Sequence, residues 1–344
     1  MKSFDVNIIM LTYRSDFIAK INLKIALETI NHYSNARLIL AYGGDDDYHF
    51  NWLSNIRNQM NDKSSFELTF DISLKDRMKW ALDFPSNWII FVSDDDIISS
   101  NYLSALINEI EIADDSISNI IPHSYGLARG SNVEYIKLDN ILDLNALDRA
   151  GLLINSPHIY LRFYSAHRSN NIKEVVREKI ESSYFPSYLD QLIILVSILN
   201  GKSISCNESS VFIYNIENWM NLEACIRSDS KAYAVNKMVF FHEILWICDY
   251  INILHSHCIE KSQYEWIKSY CLSRINDALN SFIPRLNIID INQSQAKLIL
   301  DEIQNIAVLI SGCHTISDLM EGLNKFKFKI LNKTNNEIYF GPYV

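Results

Sequence analysis

Glycine and proline are scarce in this chain, 9 and 6 of 344 residues. Collagen-like and linker-rich architectures are thereby excluded, and the turns fall to Asn, Ser and Asp, which hydrogen-bond their own backbone. Long apolar runs are missing too. A membrane-spanning helix needs about 18–20 apolar residues; the best stretch, YLDQLIILVSILNG, is short and carries Asp190. The first residues, MKSFDVNIIMLTYRSD, become charged too soon for a secretory signal. Paired cysteines are absent: Cys206, Cys225, Cys248, Cys258, Cys271 and Cys313 show no CxxC spacing, so neither a zinc ribbon nor a disulfide framework is expected. His242, His255, His257 and Cys258 do not converge at helical spacing, which argues against zinc there. Basic charge is in deficit, 31 Lys+Arg against 41 Asp+Glu, a net charge of −10. Nucleic-acid partners are disfavoured, because phosphate binding needs clustered Lys and Arg. These absences together lead us to expect a reducing, cytoplasmic protein.

What is present is a hydrophobic fraction of 48%, enough to bury a core. The first half alternates between apolar runs of strand length and helical patterns. VNIIMLTY (Val6–Tyr13), ARLILAY (Ala36–Tyr42), FELTFDI (Phe66–Ile72) and WIIFVS (Trp88–Ser93) are expected as strands. Ser15 is placed to cap one intervening helix. Ser73 is placed to cap another, with Asp76 at its third position and a stop at Pro85. Strands apolar on both faces and separated by helices predict a mostly parallel sheet covered on both sides. Further on, HIYLRFYSA (His158–Ala166) is expected as a strand, SYLDQLIILVSILNGK as a helix ended by Gly201, and VFIYNIENWM as holding the last strand. Beyond about Asn221 only helical periodicity remains. KFKFKI (Lys325–Ile330) is the exception, alternating like a half-buried strand or a segment that touches an anionic membrane surface. The expected division is an α/β domain over 1–215 and a mainly helical region over 216–344.

Two strands run straight into three aspartates each, Asp45–Asp47 and Asp94–Asp96. Ligands of such sheets bind at the carboxyl ends of the strands. Acids gathered there need solvent, hydrogen bonds or a cation. Asp94 and Asp96, two residues apart, share a side in extended chain, with Asp95 opposite. That pair offers hard oxygen donors suited to Mg²⁺ or Mn²⁺, completed by substrate phosphates and water.

IIMLTYRSD, followed by SLKDRMKWALDFPSNWIIFVSDDDIIS and PSYLDQLIILVSILNG, resembles GT-A glycosyltransferases of the family 2-like kind. Within them it is similar to a triple-aspartate subgroup from bacterial surface-polysaccharide loci and phages. The resemblance covers about Val6 to Tyr214. It implies a Rossmann-like GT-A fold and transfer of a sugar from a nucleotide-sugar donor, UDP-linked first of all, to a glycan or glycolipid hydroxyl; the anomeric centre inverts if Asp190 acts as base from the face opposite the leaving group, and a retaining enzyme, which needs no base there, stays open beside this. Carried over by position, Thr12, Tyr13 and Arg14 line the nucleotide pocket. Asp45 meets the base, Arg77 the diphosphate or ribose, and Asp94 and Asp95 the donor. Asp94 and Asp96 hold Mn²⁺ or Mg²⁺, with Asp96 favoured as direct ligand, and Asp190 is the general base. No histidine follows the last strand as a further metal ligand, which leaves Glu217, Asn218 or water. Peripheral contact with the inner face of a membrane fits a lipid-linked acceptor.

Plainer readings stay open beside these. Asp45–Asp47 can be a solvated turn, Asp94–Asp96 a helix N-cap cluster, and Arg77 and Asp190 surface or capping residues. His123 and His158 can line the pocket or serve the core. Two rival chemistries also remain: a phage-type sugar transferase acting on modified DNA bases, and a nucleotidyl- or phosphotransferase using the same acidic site. Neither the donor sugar nor the oligomeric state can be read from the sequence.

Overall fold

The computed structural model describes residues 4–12, 17–43, 47–60, 62–70, 73–92, 94, 96–127, 133–136, 138–143, 145–154, 159–181, 189–206, 211–215, 242–255, 261–286 and 293–333. The described residues up to Asn215 form one compact unit, and those from His242 onward a second.

In the first unit, β1 (Val6–Thr12) is an inner strand of a seven-stranded sheet. On one side it pairs in parallel with β2 (Ala36–Tyr42), which pairs with β3 (Phe66–Phe70). On the other it pairs in parallel with β4 (Trp88–Phe91). Side chains alternate along these strands and so feed two cores. Val6, Ile8, Met10, Leu38 and Ile90 pack with α1 (Phe17–His32) and α4 (Tyr102–Ile112). Ile9, Ile39, Ile89 and Phe91 pack with α3 (Leu74–Leu82), α6 (Ser169–Glu181) and α7 (Leu189–Asn200). The expected α/β class, helices on both faces of a mostly parallel sheet, is what the chain adopts. Ser73 caps α3 through the Asp76 N–H, as its sequence predicts. Ser15 lies outside the described residues.

Beyond β4 the sheet continues through β9 (Ala166–Arg168), antiparallel to both neighbours, to β6 (Ile117–Ile121) and β10 (Lys202–Ser205). A second sheet has the order β5 (Ile97–Ile98), β11 (Val211–Asn215), β7 (His123–Leu127), β8 (Val133–Ile136). The other α-helices among the described residues of this unit are α2 (Asp47–Gln59) and α5 (Ala146–Ile154).

One expected strand is corrected. Within His158–Ala166 the chain forms a 3₁₀ helix at Ile159–Phe163, and β9 starts only at Ala166. The cause is three consecutive inward contacts. Leu161 and Arg162 are both fully buried, and Phe163 stacks on Phe91 with ring centroids 4.4 Å apart. A strand, with its two-residue period, would turn one of them outward. Arg162 instead reaches the Ser203 hydroxyl at 2.9 Å and the Asp139 carbonyl at 2.6 Å.

Among the described residues the second unit holds four helices: α8 (His242–His255), α9 (Lys261–Leu286), α10 (Gln293–Gly312) and α11 (Ile316–Lys333). Each packs on two of the others, closing a bundle. KFKFKI falls inside α11, not in a strand. Leu319, Leu323 and Phe326 recur at helical spacing and are buried, whereas Phe328 is 68% exposed. The 3.6-residue period over the whole segment overrides the local two-residue alternation. Among the described residues no helix is long and apolar enough to cross a membrane, and Cys206, Cys248, Cys271 and Cys313 are free, buried thiols.

Lys327 bridges α11 to the fully buried Asp249 of α8 at 2.6 Å. Breaking such a pair from one side strands the other charge in the core, at a cost of about 3–5 kcal/mol. Lys327→Met should therefore lower stability by about that much in urea melts. The double variant with Asp249→Leu should recover most of the loss.

Candidate active site

The carboxyl ends of β1 and β4 meet at Thr12, which is 2% exposed. Its hydroxyl donates to Asp94 Oδ2 at 2.9 Å. Its carbonyl accepts from the Gly43 N–H at 2.7 Å, extending the β1–β2 ladder, and from Arg77 Nη1 at 2.9 Å. One residue thus ties the acidic run after β4 to the arginine of α3 and to the end of β2. The Arg77 guanidinium, 2% exposed, can lie this close because residue 43 has no side chain. A Cβ at Gly43 would stand 2.4 Å from Arg77 Cζ.

Asp94 is half-buried and Asp96 is 4% exposed. The Asp96 carbonyl accepts from Asn22 Nδ2 of α1 at 2.7 Å. Tyr102, the first residue of α4, lies behind it. Its phenol is pushed far up, first by desolvation, then by the Cys206 thiol and the Asp96 charge. The cap of α4 is Asn101, and β5 intervenes between the aspartates and that helix. The acidic run therefore does not cap α4. Among the described residues no three His, Cys, Asp or Glu side chains gather at one point.

Asp190 stands in the first turn of α7. The carboxyl end of that helix is fixed at the amino end of β6, where Ser118 donates to the Ser197 carbonyl and Lys202 N–H meets the Ser116 carbonyl. Since β6 and β4 are both antiparallel to β9, they run the same way. A 12-residue helix spans about 18 Å, so Asp190 lies at the end of the sheet that carries Thr12 and Asp94. Desolvation pushes its carboxyl up to about 6, against the backbone N–H groups of Gln191 and Asp190 itself, which lower it. A polar cleft of about 280 Å³ opens at the opposite end of the sheet, among Asn87, Asp115, Arg168 and Asn200. Several of its groups are engaged within the fold, Arg168 with the Ile117 and Asp114 carbonyls and Asn200 with that of Val196.

Of the residues singled out by sequence, Thr12, Arg77 and Asp94 are in one hydrogen-bonded cluster. Asp96 follows two residues on, and Asp190 shares the same end of the sheet. Tyr13, Arg14, Asp45, Asp95, His158, Glu217 and Asn218 lie outside the described residues. His123 is on β7, within reach of the Tyr135 hydroxyl at 3.3 Å. Sequence reasoning passed over Gly43, Asn22 and Tyr102. Asn22 did leave a signal, an amide on the face of α1 that otherwise buries Ala19, Leu23, Ala26 and Ile30.

No family model matches this chain, and no curated protein does. Among solved structures it is similar to S. aureus TarS 1–349 in complex with UDP. The identity is 10% and the TM-score 0.54, over 96% of this chain and 92% of that one. The chain has a GT-A-like fold. Two further TarS 1–349 structures, one in complex with UDP-GlcNAc, superpose with a TM-score of 0.47 at 12% identity.

The Gly43–Arg77 contact makes a direct prediction. Gly43→Ala should cost about 1–3 kcal/mol, because the guanidinium must leave the Thr12 carbonyl to make room. In an Arg77→Ala background the same substitution should cost almost nothing. A double-mutant cycle by thermal or urea unfolding measures this coupling; additive effects would contradict it.

Proposed function

We propose that this chain is a glycosyltransferase that moves a sugar from a nucleotide-sugar donor, a UDP-sugar first of all, to a hydroxyl acceptor. One observation carries the reading. The Thr12–Asp94–Arg77 cluster sits at the carboxyl ends of parallel strands, where α/β folds bind nucleotides. It does so on a fold shared with a protein seen in complex with UDP.

In this reading Arg77 faces the diphosphate or ribose. Tyr13, Arg14, Asp45 and Asp95 complete the donor pocket on the strength of the family resemblance. Asp94 and Asp96 are hard oxygen donors, and the Thr12 hydroxyl holds Asp94 in place. In this reading diphosphate oxygens and water complete the coordination sphere, as Mg²⁺ and Mn²⁺ sites favour. When bound, the ion would neutralise the charge that develops on the leaving diphosphate. Asp190, desolvated and at the same end of the sheet, is the base that takes the proton of the acceptor hydroxyl, which gives inversion at the anomeric carbon. A glycan or glycolipid of surface-polysaccharide synthesis is the acceptor class that the resemblance supports.

Two measurements test this. Titrating UDP in the presence of Mn²⁺ should raise the melting temperature of the wild-type chain. Asp94→Ala should remove most of that shift while the unliganded protein still melts cooperatively. An unchanged shift would remove Asp94 from the site.

The second measurement uses pH. A carboxyl raised in the folded state favours folding while protonated. Its contribution is full below the unfolded value near 3.8 and is lost as pH rises through about 6. Asp190→Asn should therefore be more stable than the wild type at pH 8. We place the gain at about 1–2 kcal/mol, discounted because Asp190 keeps some contact with solvent. The two should converge below pH 4. Hydrolysis of a UDP-sugar should rise through about pH 6 in the wild type and fall by roughly 10²-fold in the variant.

A further inference from the structure

The polar cleft of about 280 Å³ lies at the end of the sheet away from Thr12. About 20 Å of extended chain separate Asn87, in its wall, from Asp94. One side of the cleft is rigid. The Arg168 guanidinium lies over the Trp88 ring, with Cζ 4.2 Å from the centroid. Its Nε and Nη2 donate to the carbonyls of Ile117 and Asp114 at 3.1 and 2.9 Å. Its Nη1 donates to nothing among the described residues. Asn170 and Asn171, in the first turn of α6, are exposed and half-buried. Their side-chain amides also bond nothing among the described residues. Asn87 and Asn200 are half engaged: the amide nitrogen of the first donates to the Asp5 carboxylate and that of the second to the Val196 carbonyl, which leaves each Oδ1 as an acceptor.

We propose that this cleft is a second binding site, and that its ligand is a neutral sugar unit, free or at the end of a glycan. The lining selects that class. An anion would find Arg168 already balanced, since the Asp115 carboxylate is 3.7 Å from its Nη2 and Asp114 stands beside it. A nucleobase or an apolar ligand would find little to stack on, because Ile117 is the one apolar residue among the described lining and Arg168 covers the face of Trp88. A hard cation would meet a single carboxylate among amides and an arginine. A sugar hydroxyl donates and accepts at once. Side-chain amides offer both an acceptor oxygen and donor N–H groups, and four of them line the cleft together with one fixed arginine. The volume sits just below the range of about 300–1,000 Å³ usual for ligand pockets, which suits one or two rings rather than a length of chain. The inference goes beyond the proposed function and does not depend on it: a sugar here is held, far from the reacting groups, and not transferred.

The test is a ligand-observed NMR titration of the whole chain with glucose, galactose, N-acetylglucosamine and rhamnose. Each is offered free and at the end of a short oligosaccharide, with and without excess UDP. The wild type should bind at least one of them with a Kd of about 1 mM or tighter, and UDP should make no difference. Asn170→Ala/Asn171→Ala removes two amides that hold nothing in the fold. Its melting temperature should stay at the parental value while sugar affinity falls about tenfold or more. Asn171→Trp, which fills the cleft with a ring, should abolish binding. Equal affinity for the free sugar and the chain end assigns the site to a single sugar unit; a chain end bound about tenfold tighter assigns it to a glycan. A wild type that binds none of the sugars would overturn the proposal, as would affinity undiminished in both variants. Displacement of the sugar by UDP would return it to the Thr12 site, and displacement by inorganic phosphate would make the cleft an anion site; either result contradicts the proposal.

Discussion

The two oxygens of Thr12 hold the centre of the candidate site together. Its hydroxyl fixes a carboxylate of the acidic run, and its carbonyl accepts from both the Arg77 guanidinium and the end of β2. Each bond has a packing condition. Arg77 reaches the carbonyl only over a bare Gly43. Asp94 reaches the hydroxyl only because β4 lies directly beside β1 in parallel register. An arginine and an aspartate brought this close to the surface of a dry core would be costly if either were left without partners. The shared threonine supplies part of that partnership and places positive and negative groups side by side, as recognition of a diphosphate with a cation requires.

Short strand β5 gives the site its second side. It follows the aspartates directly and leaves the main sheet to pair with β11, so the chain that carries Asp96 also begins the second sheet. Behind it, Asn22 and Tyr102 fix the backbone and crowd the carboxylate from two helices. The far wall at this end of the sheet comes from α7, whose first turn carries the desolvated Asp190. Donor and acceptor functions in this account are therefore carried by different elements. On the proposed reading, the parallel strands and α3 serve the nucleotide, and α7 serves the hydroxyl that receives the sugar.

Much of this was legible where a local pattern had one physical meaning. The continuous apolar runs of β1, β2 and β4 fit only strands buried on both faces, and Ser73 with Asp76 marks a helix start. From those, the carboxyl-end rule placed Asp94 at the ligand crevice, while Arg77 was pointed to only by the family resemblance. Other features depend on partners far away in the chain. Gly43 has no local reason to be glycine; the reason is Arg77, 34 positions on. The 3₁₀ turn at Ile159–Phe163 exists because Arg162 finds Ser203 and Asp139. Helix α2 was not anticipated at all. DYHFNWLSNIRNQ is polar on most sides, and its described buried residues are only His49 and Leu53. KFKFKI misled because six residues cannot distinguish a two-residue period from a chance alternation inside a longer helix.

The central claim is that the cluster at Thr12 binds a nucleoside diphosphate through a metal-side carboxylate. Calorimetric titration of UDP into the wild type and Thr12→Val, with and without Mn²⁺, tests it most directly. Valine keeps the shape and the backbone carbonyl that holds Arg77, and removes only the hydroxyl that holds Asp94. The account predicts that Mn²⁺ strengthens UDP binding in the wild type and that Thr12→Val loses most of that gain, with metal-free affinity nearly unchanged. Equal Mn²⁺-dependent affinity in both proteins, or no UDP binding to the wild type at all, would contradict it.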